Sequence, residues 1–137
     1  MSVVIDSSVT LAWCFADERT AAVDAVLTQV AETGAMVPSL WRLEIANALQ
    51  MAVKRKRIDS TFRDASLADL RALPIDIDLE TDQQAWTATL RLADRFQLTL
   101  YDAAYVELAQ RVALPLATLD QAMRMAAGTL GLVLLGA

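Results

Sequence analysis

Histidine is absent from the 137-residue chain, and cysteine occurs once, at Cys14. Without histidine there is no Ser-His-Asp or Cys-His nucleophile system, no HExxH zinc site and no histidine acid–base pair. The lone thiol excludes a cysteine-rich zinc site and an internal disulfide, and it fits a reducing compartment. Glycine and proline are scarce, at four and three residues, and they punctuate segments rather than gather into a linker. Repeats and low-complexity tracts are missing too. No apolar run approaches the ~20 residues of a membrane helix, and the C-terminal LGLVLLGA is far too short. The opening MSVVID lacks the basic and long apolar regions of a secretory signal, so a soluble cytoplasmic protein is expected.

What remains is a globular balance, with 55% hydrophobic and 21% charged residues. A chain of this length buries roughly two-thirds of its unfolded surface and needs no staple. One domain over residues 1–137 is the expectation. Twelve basic against seventeen acidic side chains give a net charge of −5 and a pI near 4.6. That balance by itself argues against a nucleic-acid partner. If the chain is an enzyme, carboxylates must carry most of its chemistry.

Apolar runs alternate with helical periodicities along the chain. Val3-Val4-Ile5 reads as a buried strand ending in Asp6, and Asp17 to Ala31 as a helix closed by Gly34. Met36-Val37 is a short strand stopped by Pro38. Ser39 is then placed to cap a helix running through Lys54-Arg55-Lys56-Arg57. A further helix starts at Asp59 or Ser60 and runs through Leu73, followed by an alternating strand over Ile75 to Asp78. Thr81-x-x-Gln84 predicts a capping box for a helix to about Phe96, and Thr99-x-x-Asp102 a second one for a helix to about Val112. Leu116 to Leu119 reads as a strand ending at Asp120. A short helix from Gln121 to Ala127 and a strand from Leu132 to Leu135 close the chain. Apolar strands alternating with helices predict a parallel sheet covered on both faces, with a cleft at the strands' carboxyl ends.

Most of the seventeen acids have ordinary roles. Asp17, Asp24, Glu32, Asp64 and Asp69 suit helix surface or caps, and Asp76 and Asp78 the solvent face of an edge strand. Four others keep apolar company. Asp6 and Asp120 each follow an apolar strand, where a helix cap is the plain alternative. Asp102 sits at the third position of a capping box, again ordinary helix chemistry. Glu44 has Leu40, Trp41, Asn47 and Ala48 as its helical neighbours; inside such a face it must be paired, protonated or metal-bound, and Asn47 could hold it, the plain alternative being a partly exposed acid at the edge of the stripe. Together the four can converge above one end of a parallel sheet. Crowded carboxylates repel one another until a cation relieves them, and oxygen-only ligands select Mg2+ or Mn2+. Such a cluster suits phosphodiester hydrolysis.

The segments VVIDSS, LEIANAL, LTLYDAAYVELA and TLDQAM resemble the PIN domain, specifically VapC-type toxins of toxin–antitoxin pairs. The match is spread over the whole chain, and EIANAL and YDAAYVELA are its specific pieces. The resemblance implies an α/β fold, a PIN-like three-layer α/β/α sandwich with a central parallel sheet of about four to five strands. It also implies a metal-dependent endoribonuclease using Mg2+ or Mn2+. Carried over by motif, the acidic quartet falls on Asp6, Glu44, Asp102 and Asp120. Ser8 and Thr118 fall on the small hydroxyl positions, and Asn47 on the polar position after the glutamate. Asp6, Glu44 and Asp102 would help bind one or two ions, with Asp120, oriented by Thr118, completing the site or holding the attacking water. The products would carry 5′-phosphate and 3′-hydroxyl ends.

A cognate VapB-type antitoxin and a homodimer are implied as partners. A mean hydropathy of +0.36 and three tryptophans fit such interfaces, although core packing is the default for Trp13, Trp41, Trp86, Met123 and Met125. Lys54, Arg55, Lys56 and Arg57, with Arg42, Arg63 and Arg124, are candidates for an RNA-facing rim, against the alternative of a solvated helix end. Two rivals stand beside the nuclease. A haloacid-dehalogenase-type phosphatase wants a second Asp where this chain has Ser8. A non-catalytic PIN-like module would use its acidic cleft to bind a basic protein or RNA.

Overall fold

The computed structural model describes residues 2–137. Five short strands, β1 (Val3–Ile5), β2 (Ala35–Val37), β3 (Ile75–Ile77), β4 (Leu116–Ala117) and β5 (Leu134–Leu135), form one sheet in the order β3-β2-β1-β4-β5. Every neighbouring pair is parallel. The central strand β1 is wholly buried, as a parallel sheet covered on both faces requires. The helices are α1 (Ser7–Cys14), α2 (Ala21–Thr33), α3 (Trp41–Lys54), α4 (Ser60–Arg71), the short α5 (Thr81–Gln84), α6 (Ala88–Phe96), α7 (Leu100–Val112) and α8 (Gln121–Thr129).

The chain moves outward from β1 through β2 to β3, then returns to β4 on the other side of β1 and continues to β5. Right-handed crossovers therefore put the first four helices on one face and the last four on the other. The packing agrees: α1 lies against α2 and α3, and α3 against α4, while α7 lies against α6 and α8. This is the expected PIN-like α/β/α sandwich. The reversal between β1 and β4 is the topological switch point, where such sheets open a crevice at their carboxyl ends. No helix among the described residues is long and apolar enough to cross a membrane.

Local chemistry explains where the elements depart from expectation. Asp6 caps a helix at once, so α1 begins at Ser7, and the helix expected from Asp17 starts only at Ala21, capped by Thr20. Between them Ala16–Glu18 forms one 3-10 turn. Gly34 does close α2, at φ +85, with its N–H on the Val30 carbonyl. Ser39 does not cap α3. Its N–H instead donates to Thr81 Oγ1 at 3.0 Å, and Trp41 N–H takes the Pro38 carbonyl. Because Thr81 is engaged there and with Asp78, the expected capping box fails, and residues 85–87 break the helix into α5 and α6. Trp86 falls in that break and is 87% exposed, and Met125 is exposed as well, whereas Trp13, Trp41 and Met123 are in the core. Helix α3 stops at Lys54, so Arg55, Lys56 and Arg57 lie beyond it, with Lys56 at φ +61.

Asp78 is the clearest correction. Alternation assigns it to solvent, yet it is 5% exposed. Its N–H bonds the Val37 carbonyl at 2.8 Å just past β3, and its carboxylate meets Arg111 of α7 at 2.7 Å. The strand has ended, so the period-two argument no longer applies to it. Asp76, inside β3, is exposed as expected.

Candidate active site

Three strand-to-helix and loop-to-helix junctions aim backbone N–H groups at one end of the sheet. Asp6 leaves β1 and caps α1, accepting from Val9 N–H at 3.0 Å. Asp120 follows β4 and caps α8, accepting from Met123 N–H at 2.9 Å. Thr99 caps α7 by accepting from Asp102 N–H at 3.1 Å, which sets Asp102 in the first turn of that helix. The positive ends of three helices thus face carboxylates, the favourable sense of the dipole. For Asp6 and Asp120 the capping role and the cluster role are one geometry.

Two hydroxyls staple the ends of β1 and β4 together. Ser8 Oγ donates to Asp6 Oδ1 at 2.6 Å and accepts from Leu119 N–H at 2.9 Å. Thr118 Oγ1 donates to Asp6 Oδ2 at 2.5 Å and accepts from Asp120 N–H at 3.0 Å. Thr118 is completely buried, so its loss leaves groups that water does not reach. Thr118→Val should cost about 1–3 kcal/mol in denaturant unfolding, and Thr118→Ser should recover most of it. A Thr118→Val protein as stable as the wild type, with the loss confined to Thr118→Ser, would assign the cost to packing of the methyl group rather than to the hydroxyl.

Glu44 sits in the first turns of α3, half-buried. Its partner is Tyr105 of α7, whose hydroxyl donates to Oε1 at 2.5 Å. Asn47 is exposed and has no part in holding it. Tyr105 therefore takes the place assigned to Asn47. The signal was within YDAAYVELA: Tyr105 lies three residues after Asp102, on the same helix face.

The acids feel one another. Burial dominates at Asp6 and lifts its carboxyl above the ordinary value; bonds from Ser8, Thr118 and Val9 pull it back, and the charge of Asp102 pushes it further up. Burial also raises Glu44, offset by the Tyr105 hydroxyl and reinforced by Asp102 and Asp6. Asp102 is raised by burial and then by Asp120. These pairings tie all four carboxylates into a single electrostatic cluster at the switch point. The donor set is oxygen-only and short of positive charge, which suits a hard divalent cation. Among the described residues no three acids stand close enough to grip one ion together. Mg2+ is commonly held by one or two carboxylates with several waters, so the donor set still fits it.

The basic segment lies apart. Along α3, Glu44 and Lys54 are separated by about 15 Å of helix rise. Arg57 is occupied: its guanidinium bonds Asp17 and Glu18 at 3.1 and 2.8 Å and lies 3.8 Å above the Phe15 ring. Lys54, Arg55, Lys56 and Arg42 are exposed. Arg63 pairs with Asp64 at 2.9 Å. Arg124 braces the strand ends, donating to the carbonyls of Thr118 and Leu135 at 2.8 and 3.0 Å.

The family model of the PIN domain matches residues 3–128, and the chain belongs to that family. No curated protein matches it by sequence. Its fold is similar to that of PAE2754 from Pyrobaculum aerophilum, at 23% identity over 98% of this chain and 83% of that one, with a TM-score of 0.66. It is also similar to VapC20 of Mycobacterium tuberculosis, described as a sarcin-ricin-loop-cleaving toxin, at 16% identity over 90% and 94% of the two chains and a TM-score of 0.66. VapBC2 from Rickettsia felis, solved on a DNA fragment of its promoter, shares 11% identity over 98% and 97%, with a TM-score of 0.65. At these identities the likeness is one of fold.

Proposed function

We propose that this chain is a metal-dependent endoribonuclease, the VapC-type toxin of a toxin–antitoxin pair. The observation that carries the reading is the cluster of four mutually repelling carboxylates, Asp6, Glu44, Asp102 and Asp120, at the switch point of a PIN-domain sheet. Asp6, Glu44 and Asp102 would help bind one or two Mg2+ or Mn2+ ions, directly or through water. The ion, when bound, supplies positive charge to the phosphate and acidifies water at neutral pH. Asp6 is fixed by Ser8, Thr118 and Val9, so its remaining lone pair is oriented before any ligand arrives. Asp120 spends Oδ1 on capping α8, which leaves Oδ2 to orient the attacking water and take its proton. Water rather than the ribose 2′-hydroxyl attacks, so the cut leaves 5′-phosphate and 3′-hydroxyl ends.

RNA as substrate is supported by the described activity of VapC20, and an antitoxin partner by the VapBC2 assembly. The exposed Leu43, Leu79, Trp86 and Tyr101 support a homodimer face or antitoxin seat. Residues 1–137 act as one domain in this reading, in the cytoplasm. Arg42, Lys54, Arg55 and Lys56 are exposed and make no ion pair among the described residues, whereas Arg57 is engaged elsewhere.

The test is incubation of antitoxin-free protein with a mixed RNA pool in Mn2+, Mg2+ or EDTA, beside Asp6→Asn. Metal-dependent cuts with 5′-phosphate ends, lost in the variant, are expected. Cleavage that survives both EDTA and the substitution overturns the carboxylate mechanism. Folded protein that cuts nothing under any metal favours a binding module whose acids serve a basic partner.

A further inference from the structure

We infer that Tyr105 is a positioning residue: its buried hydroxyl fixes the Glu44 carboxylate of α3 against the α7 face that carries Asp102, setting the geometry in which those acids hold a divalent ion. The inference rests on the metal-site reading above and deepens it. The contact joins residues 61 apart in sequence and is the hydrogen bond that the structure gives the Glu44 side chain. Tyr105 is 1% exposed, among the largest fully buried side chains, so its ring cannot swing away without opening the core. Asp102 and Tyr105 are three residues apart on α7, one helical turn on one face. Glu44 Oε1 is thereby tied to the helix that supplies Asp102, while Oε2 takes no bond from any other side chain among the described residues and stays open to a ligand. A glutamate has three side-chain torsions, and in the half-exposed Glu44 they would otherwise be free to turn the carboxylate to solvent. Buried beside Glu44, the hydroxyl also feels the charges of Asp6 and Asp102.

Outer partners that orient metal-binding carboxylates typically contribute 10- to 100-fold in metal affinity. The experiment measures Mn2+ affinity by titration calorimetry for the wild type, Tyr105→Phe, Glu44→Ala and the double variant, with melting curves in EDTA as a control. Tyr105→Phe is expected to weaken Mn2+ binding about tenfold while still folding. In the Glu44→Ala background it should make no further difference, because the hydroxyl would act only through that carboxylate. A Tyr105→Phe protein that binds Mn2+ as the wild type does, while Glu44→Ala is weakened, overturns this inference and leaves the metal site standing. Losses that simply add in the double variant also overturn it, since Tyr105 would then act by another route. A wild type that binds no Mn2+ overturns the metal reading itself, and this inference with it. Should Tyr105→Phe melt too low for titration, a second measurement avoids that variant. The hydrogen-bonded hydroxyl proton should give a downfield resonance in the wild type that vanishes in Glu44→Ala, and its absence from the wild type counts against the contact.

Discussion

Asp102→Asn should raise the melting midpoint of the metal-free protein while slowing RNA cleavage at least about 100-fold. The two effects share one cause. Asp102 is raised above its ordinary value by burial and by the charge of Asp120, and its own charge raises Asp6 and Glu44. A carboxyl whose folded pKa exceeds its unfolded one contributes stability that is fully present below the unfolded value, and that stability is lost as pH rises through the folded value. At neutral pH the ionised cluster therefore works against folding. Removing that charge relieves Asp6 and Glu44 at once, for a gain of about 0.5–2 kcal/mol, held toward the lower end by the partial exposure of Asp102. Asp6 is a poorer choice for this test, since both its oxygens accept hydrogen bonds and an amide nitrogen in place of Oδ2 could not accept the one from Thr118. The same sign predicts that the metal-free wild type gains stability on acidification from pH 7 toward the ordinary carboxylate range. Saturating Mn2+ should flatten that slope, because the ion supplies the countercharge that protons supply in its absence. If Asp102→Asn instead melts lower without metal, the carboxylate is paired in the fold, and the charge-repulsion account fails.

The sequence made the two strand-end acids legible because each follows an apolar run. Three apolar residues, then Asp6, mark where β1 stops, whereas β4 ends at Ala117, short of the expected Leu119, and Thr118 and Leu119 lead from it to Asp120. Glu44 was legible as an anomaly, an acid in an apolar helix stripe. Its partner was not, because nothing local distinguishes Asn47, one turn away, from Tyr105, 61 residues on; the tertiary contact between α3 and α7 decides it. The staples were half legible. Ser8 and Thr118 stood out as small hydroxyls beside acids, but that each makes one of its two bonds across the β1–β4 seam, Ser8 to the Leu119 N–H and Thr118 to Asp6, is a fact of strand pairing. Helix boundaries failed where one side chain had two uses. Thr81 reads as a cap from its spacing to Gln84, and instead joins Ser39 to Asp78. Net charge discriminates little here: with four acids gathered in one site, overall acidity says little about the rest of the surface.

Arg111→Ala should be among the most destabilising single substitutions in this chain, at about 3–5 kcal/mol, against a total of about 5–15 kcal/mol for a typical domain. One guanidinium satisfies two carboxylates that the fold keeps from water: Asp78 after β3 at 2.7 Å and Glu107 of α7 at 3.0 Å. Glu80, exposed, adds a third contact at 3.1 Å and little energy. Without the cation, Asp78 and Glu107 are left buried and uncompensated, which is the costly way to break such a group. Burial alone would raise Asp78, yet the guanidinium, the Thr81 hydroxyl and the Glu80 N–H outweigh it and hold the carboxyl below its ordinary value. Its stabilising contribution is therefore present at neutral pH and lost as pH falls through that lowered value. The deficit of Arg111→Ala measured by urea unfolding should accordingly shrink on acidification, because a protonated Asp78 no longer needs the cation. Arg111→Lys keeps the charge but not the planar fork, and should fall between the two. Cleavage well below both melting midpoints should survive in Arg111→Ala, since the guanidinium bonds none of Asp6, Glu44, Asp102 or Asp120. Activity lost without a loss of stability would instead mean that the clamp sets the placement of α7, and with it Asp102, rather than merely holding the helix to the sheet.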